Sequence, residues 1–180
     1  MHQFARLQRA LSRLTALNAR RDRLPLCGNS FALAQSVQLM VFDEWEPVLC
    51  ALELLADELE NAPSDDGAAR LYAFFTPFLQ PCTDRRFREN GIRLMGSSAF
   101  LYKARSVSFD AAGTAVDWLS GLGVALDTST ECGLIAEEMA RCGCSAYLTG
   151  MFGFDRWMGA MTPLRRKILS QHSIPMYILD

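Results

Sequence analysis

Apolar residues recur at three- and four-residue steps from the start of the chain. Phe4, Leu7, Leu11, Leu14 and Leu17 form one stripe, and Arg6, Arg9, Arg13 and Arg20 lie mostly off it. The spacing predicts an amphipathic helix that docks its apolar face on the rest of the protein. The same pattern would also suit a membrane surface or a DNA backbone. Leu24-Pro25-Leu26 ends this helix, because the residue before a proline is driven out of the helical region. Asn29 or Ser30 can cap a second helix over Phe31 to Phe42. A third begins where Asp43, Glu44 and Glu46 precede Pro47, a natural first-turn arrangement, and Val48, Leu49, Leu52, Leu55 and Leu59 give it an apolar face. The clearest loop is Asn61 to Gly67, and a fourth helix is expected over Ala68 to Gln80, with Leu71, Tyr72, Phe74, Phe75, Phe78 and Leu79 as core and Pro77 bending or ending it.

From about Ile92 the pattern changes to short runs rich in Val, Ile, Tyr and Phe between helical stretches, as in α/β units. Strands are expected near Ala99 to Tyr102, Ser106 to Phe109, Val124 to Asp127, Ala146 to Thr149 and Pro175 to Leu179. Helices are expected over Thr114 to Leu119, Gly133 to Arg141, Asp155 to Met161 and Leu164 to Gln171. The fold class is therefore mixed α/β. With 180 residues, half of them hydrophobic, the chain suits a single domain over 1–180, with a largely helical part at 1–91 and an α/β part at 92–180.

Composition narrows the chemistry. No apolar run approaches the roughly 20 residues that cross a bilayer, and the arginine-rich start shows no cleavage site, so a cytoplasmic location is expected. The six cysteines include no CxxC pair and no zinc-like cluster, so free thiols and no protein-held metal are expected, and His2 and His172 are too far apart to suggest a histidine site. Net charge is only −2, but it falls in blocks: residues 1–23 are basic, 24–69 acidic, 70–105 basic, 106–140 acidic and 141–180 basic. Nearly all the bases are arginine, whose planar fork suits phosphate and carboxylate.

The tail reads strand, glycine turn, helix, strand. Ala146 to Thr149 leads into Gly150 and Gly153, then Phe154, Asp155, Arg156 and Trp157 open a helix, and Ile174 to Leu179 closes the unit. Two glycines let backbone approach a ligand closely, and the unpaired N–H groups at the helix start attract phosphate. Arg156 would add a bidentate contact to the same anion. Asp127 stands at the end of an expected strand, where α/β proteins often place a functional carboxylate. Glu137 and Glu138 are about 100 degrees apart on a helix, so at most one faces a cleft as general base or metal ligand, and Glu137 is the candidate. Arg165, Arg166 and Lys167 form a basic run suited to DNA phosphates or to a solvated helix face. Asp84 to Glu89 interleaves arginines with Phe87, which suits a single-strand contact, although an exposed turn is the plainer expectation.

Gly153-Phe154-Asp155-Arg156-Trp157, followed by Gly159, Ala160 and the strand Ile174-Pro175-Met176-Tyr177-Ile178, resembles the glycine-arginine box and following strand of the ParB/sulfiredoxin superfamily. Leu134 to Gly143 resembles its preceding helix, so the likeness covers about residues 122–180. Within that superfamily the helical first half resembles the plasmid fertility-inhibition proteins, which block DNA transfer through a type IV secretion system. The resemblance implies a ParB/sulfiredoxin-like C-terminal half with ATP and Mg²⁺ as cofactors, ATPase and DNase activity, and DNA and the secretion coupling protein as partners, with peripheral inner-membrane association as a further one. Gly150, Gly153, Phe154, Arg156 and Asp127 would bind nucleotide, Asp155, Arg156 and Glu137 would act in catalysis, and Arg165, Arg166 and Lys167 would meet DNA. A sulfiredoxin carries cysteine where Phe154 stands, so peroxiredoxin repair is not expected. Asp155 replaces the second basic residue of many such boxes and offers a carboxylate to Mg²⁺ or to an attacking water.

Two other readings fit the same residues. One is a non-catalytic α/β regulatory or adaptor domain, receiver-like or universal-stress-like, against which stands Thr149-Gly150 where a phosphoacceptor aspartate would end the third strand. The other is a helical interaction protein in which the basic first helix and the acidic 43–66 segment bind a partner.

Overall fold

The computed structural model describes residues 2–26, 28–37, 43–65, 67–73, 81–97, 128–150 and 156–179. Its elements run α1 (His2–Asn18), α2 (Gly28–Ser36), α3 (Glu46–Glu60), β1 (Ala69–Ala73), α4 (Pro81–Glu89), β2 (Ile92–Ser97), α5 (Thr128–Cys142), β3 (Ala146–Gly150), α6 (Arg156–Gln171) and β4 (Met176–Leu179). The four strands form one parallel sheet in the order β2-β1-β3-β4. Mixed α/β is therefore the fold class.

The inner strands β1 and β3 bury both faces, as parallel strands flanked by helices do, whereas the edge strand β4 exposes Tyr177. Tyr72, Met95, Tyr147 and Met176 face Cys132, Ile135, Met139 and Cys142 of α5 and Leu169 of α6. Leu71, Ala73, Leu94 and Leu148 line the opposite face with Phe87 of α4. This double burial explains the largest departure from the expected elements. Residues 69–73 are a strand, not the start of a helix over 68–80, because a strand apolar on both faces has no alternation to betray it. Residues 74–80 lie outside the described residues. The expected exposed turn at 84–89 is the second half of α4, with Phe87 packed under the sheet and Arg85, Arg86, Arg88 and Glu89 in solvent. Strand β2 begins at Ile92, ahead of the first strand the pattern marked. The helices expected at 155–161 and 164–171 are one continuous α6 that carries Pro163 inside it, forgoing a single backbone bond to Gly159. The expected strands at 99–102, 106–109 and 124–127, and the helix at 114–119, fall outside the described residues. Among the described residues no helix is long and apolar enough to cross a membrane.

The first three helices make their own core from Leu7, Leu11 and Leu14, Phe31 and Ala34, and Leu49, Leu52, Ala56 and Leu59. Pro47 sits in the first turn of α3, as its position predicts. The block charges of the sequence meet here. Arg6 bridges Glu46 and Glu53 at 2.7 and 2.6 Å, and Arg13 pairs with Asp57 at 2.7 Å and with Glu60. Leu7, Leu11 and Leu14 of the α1 stripe are thus packed in the core, and Arg6 and Arg13 of its basic face are held by the acids of α3.

Helix α2 carries this unit onto β2. A Cβ on Gly28 would lie 2.6 Å from the Leu94 Cβ and 2.9 Å from its carbonyl oxygen, so only glycine admits the approach. Arg70 of β1 completes the join. It is 6% exposed, and its guanidinium donates to the carbonyls of Arg20 (2.9 Å), Cys142 (3.1 Å) and Arg23 (3.3 Å) and to the Asp65 carboxylate (2.8 Å). Asn18 accepts from the Leu26 amide and donates to the Met95 carbonyl. Arg21 and Arg141 exchange bonds with the carbonyls of Ala140 and Thr15. The helical unit and the sheet share these contacts, and β1, which precedes residue 92, lies between β2 and β3. Helical and strand-bearing parts therefore do not separate at 91/92.

Replacing Arg70 leaves Asp65 and three carbonyls short of a donor, so Arg70→Met is expected to lower unfolding free energy by about 3 kcal/mol in urea titrations. The α1–α3 pairs generate a pH dependence. Hydrogen bonds from Arg6 hold the Glu46 and Glu53 carboxyls below their usual range. Their contribution is complete above the ordinary carboxylate value of about 4.3 and is lost as pH falls through the lowered folded values. The drop in melting temperature between pH 7 and about pH 3.5 should be smaller in Arg6→Met than in wild type, and high salt should narrow the difference.

Candidate functional site

In a sheet of parallel strands every connecting helix starts at the carboxyl edge and returns the chain to the amino edge. The N-termini of α4, α5 and α6 therefore all lie toward the edge where β1 and β3 end, and their unpaired N–H groups carry partial positive charge there. The strand order singles out one place on that edge. The chain leaves β1 toward β2 on one side, then crosses back over β1, and leaves β3 toward β4 on the other side. Between the carboxyl ends of β1 and β3 the connections diverge, and ligands of open α/β sheets bind in the crevice this divergence creates.

Gly150 ends β3 at that crevice. The residue before it, Thr149, is 1% exposed, and its Oγ1 has no hydrogen-bond partner among the described residues. A buried hydroxyl left without a partner costs about 1–3 kcal/mol, so it marks a place where the fold accepts a loss. Thr149 is not among the residues expected from the sequence to bind, although its position one residue before the turn glycine is a signal for it. Arg156 opens α6. Gly153, Phe154, Asp155 and Asp127 lie outside the described residues, as does the Arg156 side chain.

The remaining candidates separate. Arg165, expected to meet DNA, is turned inward. It is 1% exposed and forks onto Glu131 of α5, with Nη2 at 2.7 Å from both carboxylate oxygens and Nε at 3.1 Å from one. Position 165 lies on the face of α6 that packs on α5, and Glu131 in the first turn of α5 is favoured there by the helix dipole. Close by, burial and the Glu131 charge push the Cys132 thiol up to about 11. Arg166 and Lys167 remain on the solvent side, where with Gly159, Thr162, Ser170 and Ile178 they line a cavity of about 630 Å³ between α6 and β4. The basic run is thus one buried clamp and two surface charges.

Glu137 and Glu138 divide as their angular separation requires. Glu138 is 4% exposed and holds Arg141, while Glu137 is exposed and lines a cavity of about 550 Å³ with Cys144, Ser145, His172, Ser173 and Ile174. Ser145 and Ile174 precede β3 and β4, so this cavity opens at the amino edge. Glu137 therefore lies toward the opposite edge of the sheet from Gly150, where β3 ends. Among the described residues no group of three or more His, Cys, Asp or Glu side chains is arranged to hold a metal ion. No protein-family model matches the chain, and no curated protein matches it.

The Glu131–Arg165 pair yields a clear expectation. Removing one partner of a buried ion pair strands the other, so Arg165→Met should lose about 3 kcal/mol in chemical denaturation. Arg166→Ala and Lys167→Ala should stay within about 0.5 kcal/mol of wild type. A stable Arg165→Met that instead weakens binding to duplex DNA would restore residue 165 to a nucleic-acid surface.

Proposed function

We propose that the chain binds an adenine nucleotide at the carboxyl edge of its sheet. We further propose that, as a plasmid fertility-inhibition protein of ParB/sulfiredoxin type, it uses ATP hydrolysis and DNA cleavage to block transfer through a type IV secretion system. The observation that carries the reading is the divergence of the chain between β1 and β3, with Thr149 and Gly150 ending β3 at that point. The residues present fit a phosphate group: a glycine where the backbone must approach, a buried hydroxyl still able to donate, and a helix that starts six residues later with arginine. In this reading Gly150, Gly153, Phe154 and the amides that open α6 cradle the phosphates, Thr149 donates to one oxygen, and Arg156 neutralises charge, with Asp127 beside them. Asp155 would hold Mg²⁺, which when bound offsets phosphate charge. Arg166 and Lys167 remain as candidate contacts to DNA, and the secretion coupling protein is the partner that the resemblance implies.

The order of the described strands also supports a second reading. Among the described residues the parallel order 2-1-3-4 is similar to that of receiver-like and flavodoxin-like domains, consistent with a non-catalytic regulatory or adaptor domain. Against phosphoacceptor chemistry, the third strand ends in Thr149-Gly150 and offers no aspartate.

Melting curves with and without Mg²⁺–ATP distinguish the two. A ligand at a hundredfold excess over its Kd stabilises by about 2.7 kcal/mol, which amounts to several degrees for a chain of this length. The wild type should show this rise and release phosphate. Thr149→Val should melt no lower than wild type without nucleotide, since it removes an unpaired hydroxyl, yet gain less from ATP. Arg156→Ala should abolish phosphate release. A wild type whose melting temperature ignores ATP overturns the nucleotide site and leaves the regulatory reading.

A further inference from the structure

The amino-edge cavity contains chemistry that the proposed nucleotide site does not use. Helix α5 ends in Cys142-Gly143-Cys144, and the backbone there closes as a Schellman motif. The Cys144 amide donates to the Met139 carbonyl at 2.9 Å, the Gly143 amide donates to Ala140 at 3.3 Å, and Gly143 sits at φ +70°. This cap folds the chain back so that the two thiols meet, and the Cys144 and Cys142 side chains are hydrogen-bonded to each other. Both are free thiols. Their surroundings differ. Cys142 is 3% exposed and its Sγ donates to the buried Glu138 carboxylate at 3.7 Å, whereas Cys144 is half-buried and lines the cavity of about 550 Å³. Cys144 thus borders the cavity, whereas Cys142 lies in the core beside a carboxylate.

We propose that Cys142 and Cys144 are a redox-convertible dithiol, with Cys144 as the entry sulfur, which exchanges with a small-molecule disulfide admitted through the cavity. Cys144 gives up its proton to solvent, and its thiolate attacks one sulfur of the disulfide RSSR. The S–S bond breaks, one RS⁻ leaves and takes a proton, and a mixed disulfide remains on Cys144. The Cys142 sulfur, passing its proton by way of Glu138, then attacks the Cys144 sulfur and expels the second RS⁻. Two protein thiols are oxidised to one disulfide, and one RSSR is reduced to two RSH. The hydrogen bond to Cys142 and burial push the Cys144 thiol up, so the exchange proceeds slowly at neutral pH. The product would close a ring at the cap whose Cys142 carbonyl also receives Arg70.

The test uses the full chain and oxidised glutathione. Trypsin cuts after Arg141 and Arg156, so both sulfurs fall in one peptide, 142–156. After incubation for hours at mildly alkaline pH, that peptide should be lighter by two hydrogens, and dithiothreitol should reverse the change. Cys142→Ser should accumulate a stable glutathione adduct on Cys144, whereas Cys144→Ser should leave Cys142 unmodified, because Cys142 lacks its own access. The exposed Cys50 reports whether the reagent was active. A peptide 142–156 that keeps its mass while Cys50 takes glutathione overturns the proposal. So does a wild-type peptide that retains glutathione without closing the ring.

Discussion

Arg70 is the residue on which the arrangement of layers depends. A guanidinium with five donors has been placed on a central strand, out of water, and is tolerated because four acceptors converge on it. Three are carbonyls, from the segment that leaves α1 and from the end of α5, and the fourth is the Asp65 carboxylate. Without these acceptors the guanidinium would be prohibitively costly in the interior. One side chain therefore fixes where the helical unit sits, where α5 ends and how β1 enters the sheet. The packing of Gly28 on Leu94 and the bonds of Asn18 extend the same junction to β2.

With the layers fixed, the two edges of the sheet acquire different character. The carboxyl edge gathers helix N-termini, a glycine and an unsatisfied hydroxyl, and suits anions. The amino edge gathers helix C-termini, Glu137, His172 and the thiol of Cys144, and suits soft or cationic chemistry. Glu131 and Arg165 lock α5 to α6 between these edges, so the helices that frame both are held in one register.

The amphipathic helices were legible in the chain: α1 and α3 announce themselves by their apolar stripes, and α3 also by Pro47 in its first turn. β3 and β4 were legible as short apolar runs around a glycine turn. β1 was not, because Tyr72 and Ala73 are buried on opposite faces, Leu71 is half-buried, and their neighbours continue an apolar run at helix-like spacing. Arg165 was misjudged for a related reason: three consecutive bases look alike in sequence, and only the rotation of α6 decides which one turns inward. The alternating charge blocks, legible as numbers, became intelligible once Arg6 and Arg13 were seen against α3. Of the candidate site, Gly150 and the start of α6 could be placed from sequence, whereas the importance of Thr149 needed a burial that no local pattern encodes. The separation of Glu137 from Gly150 likewise needed the sheet's polarity.

The strand order has a consequence for biosynthesis. Residues of α1, α2 and α3 can close their own core as soon as they leave the ribosome. Tyr72, by contrast, pairs with Tyr147, so the nascent β1 must wait for most of the chain to be translated before its second neighbour exists. During that interval, among the described strands, β1 has β2 alone as a neighbour, and its unpaired edge is the kind of surface on which misassembly begins.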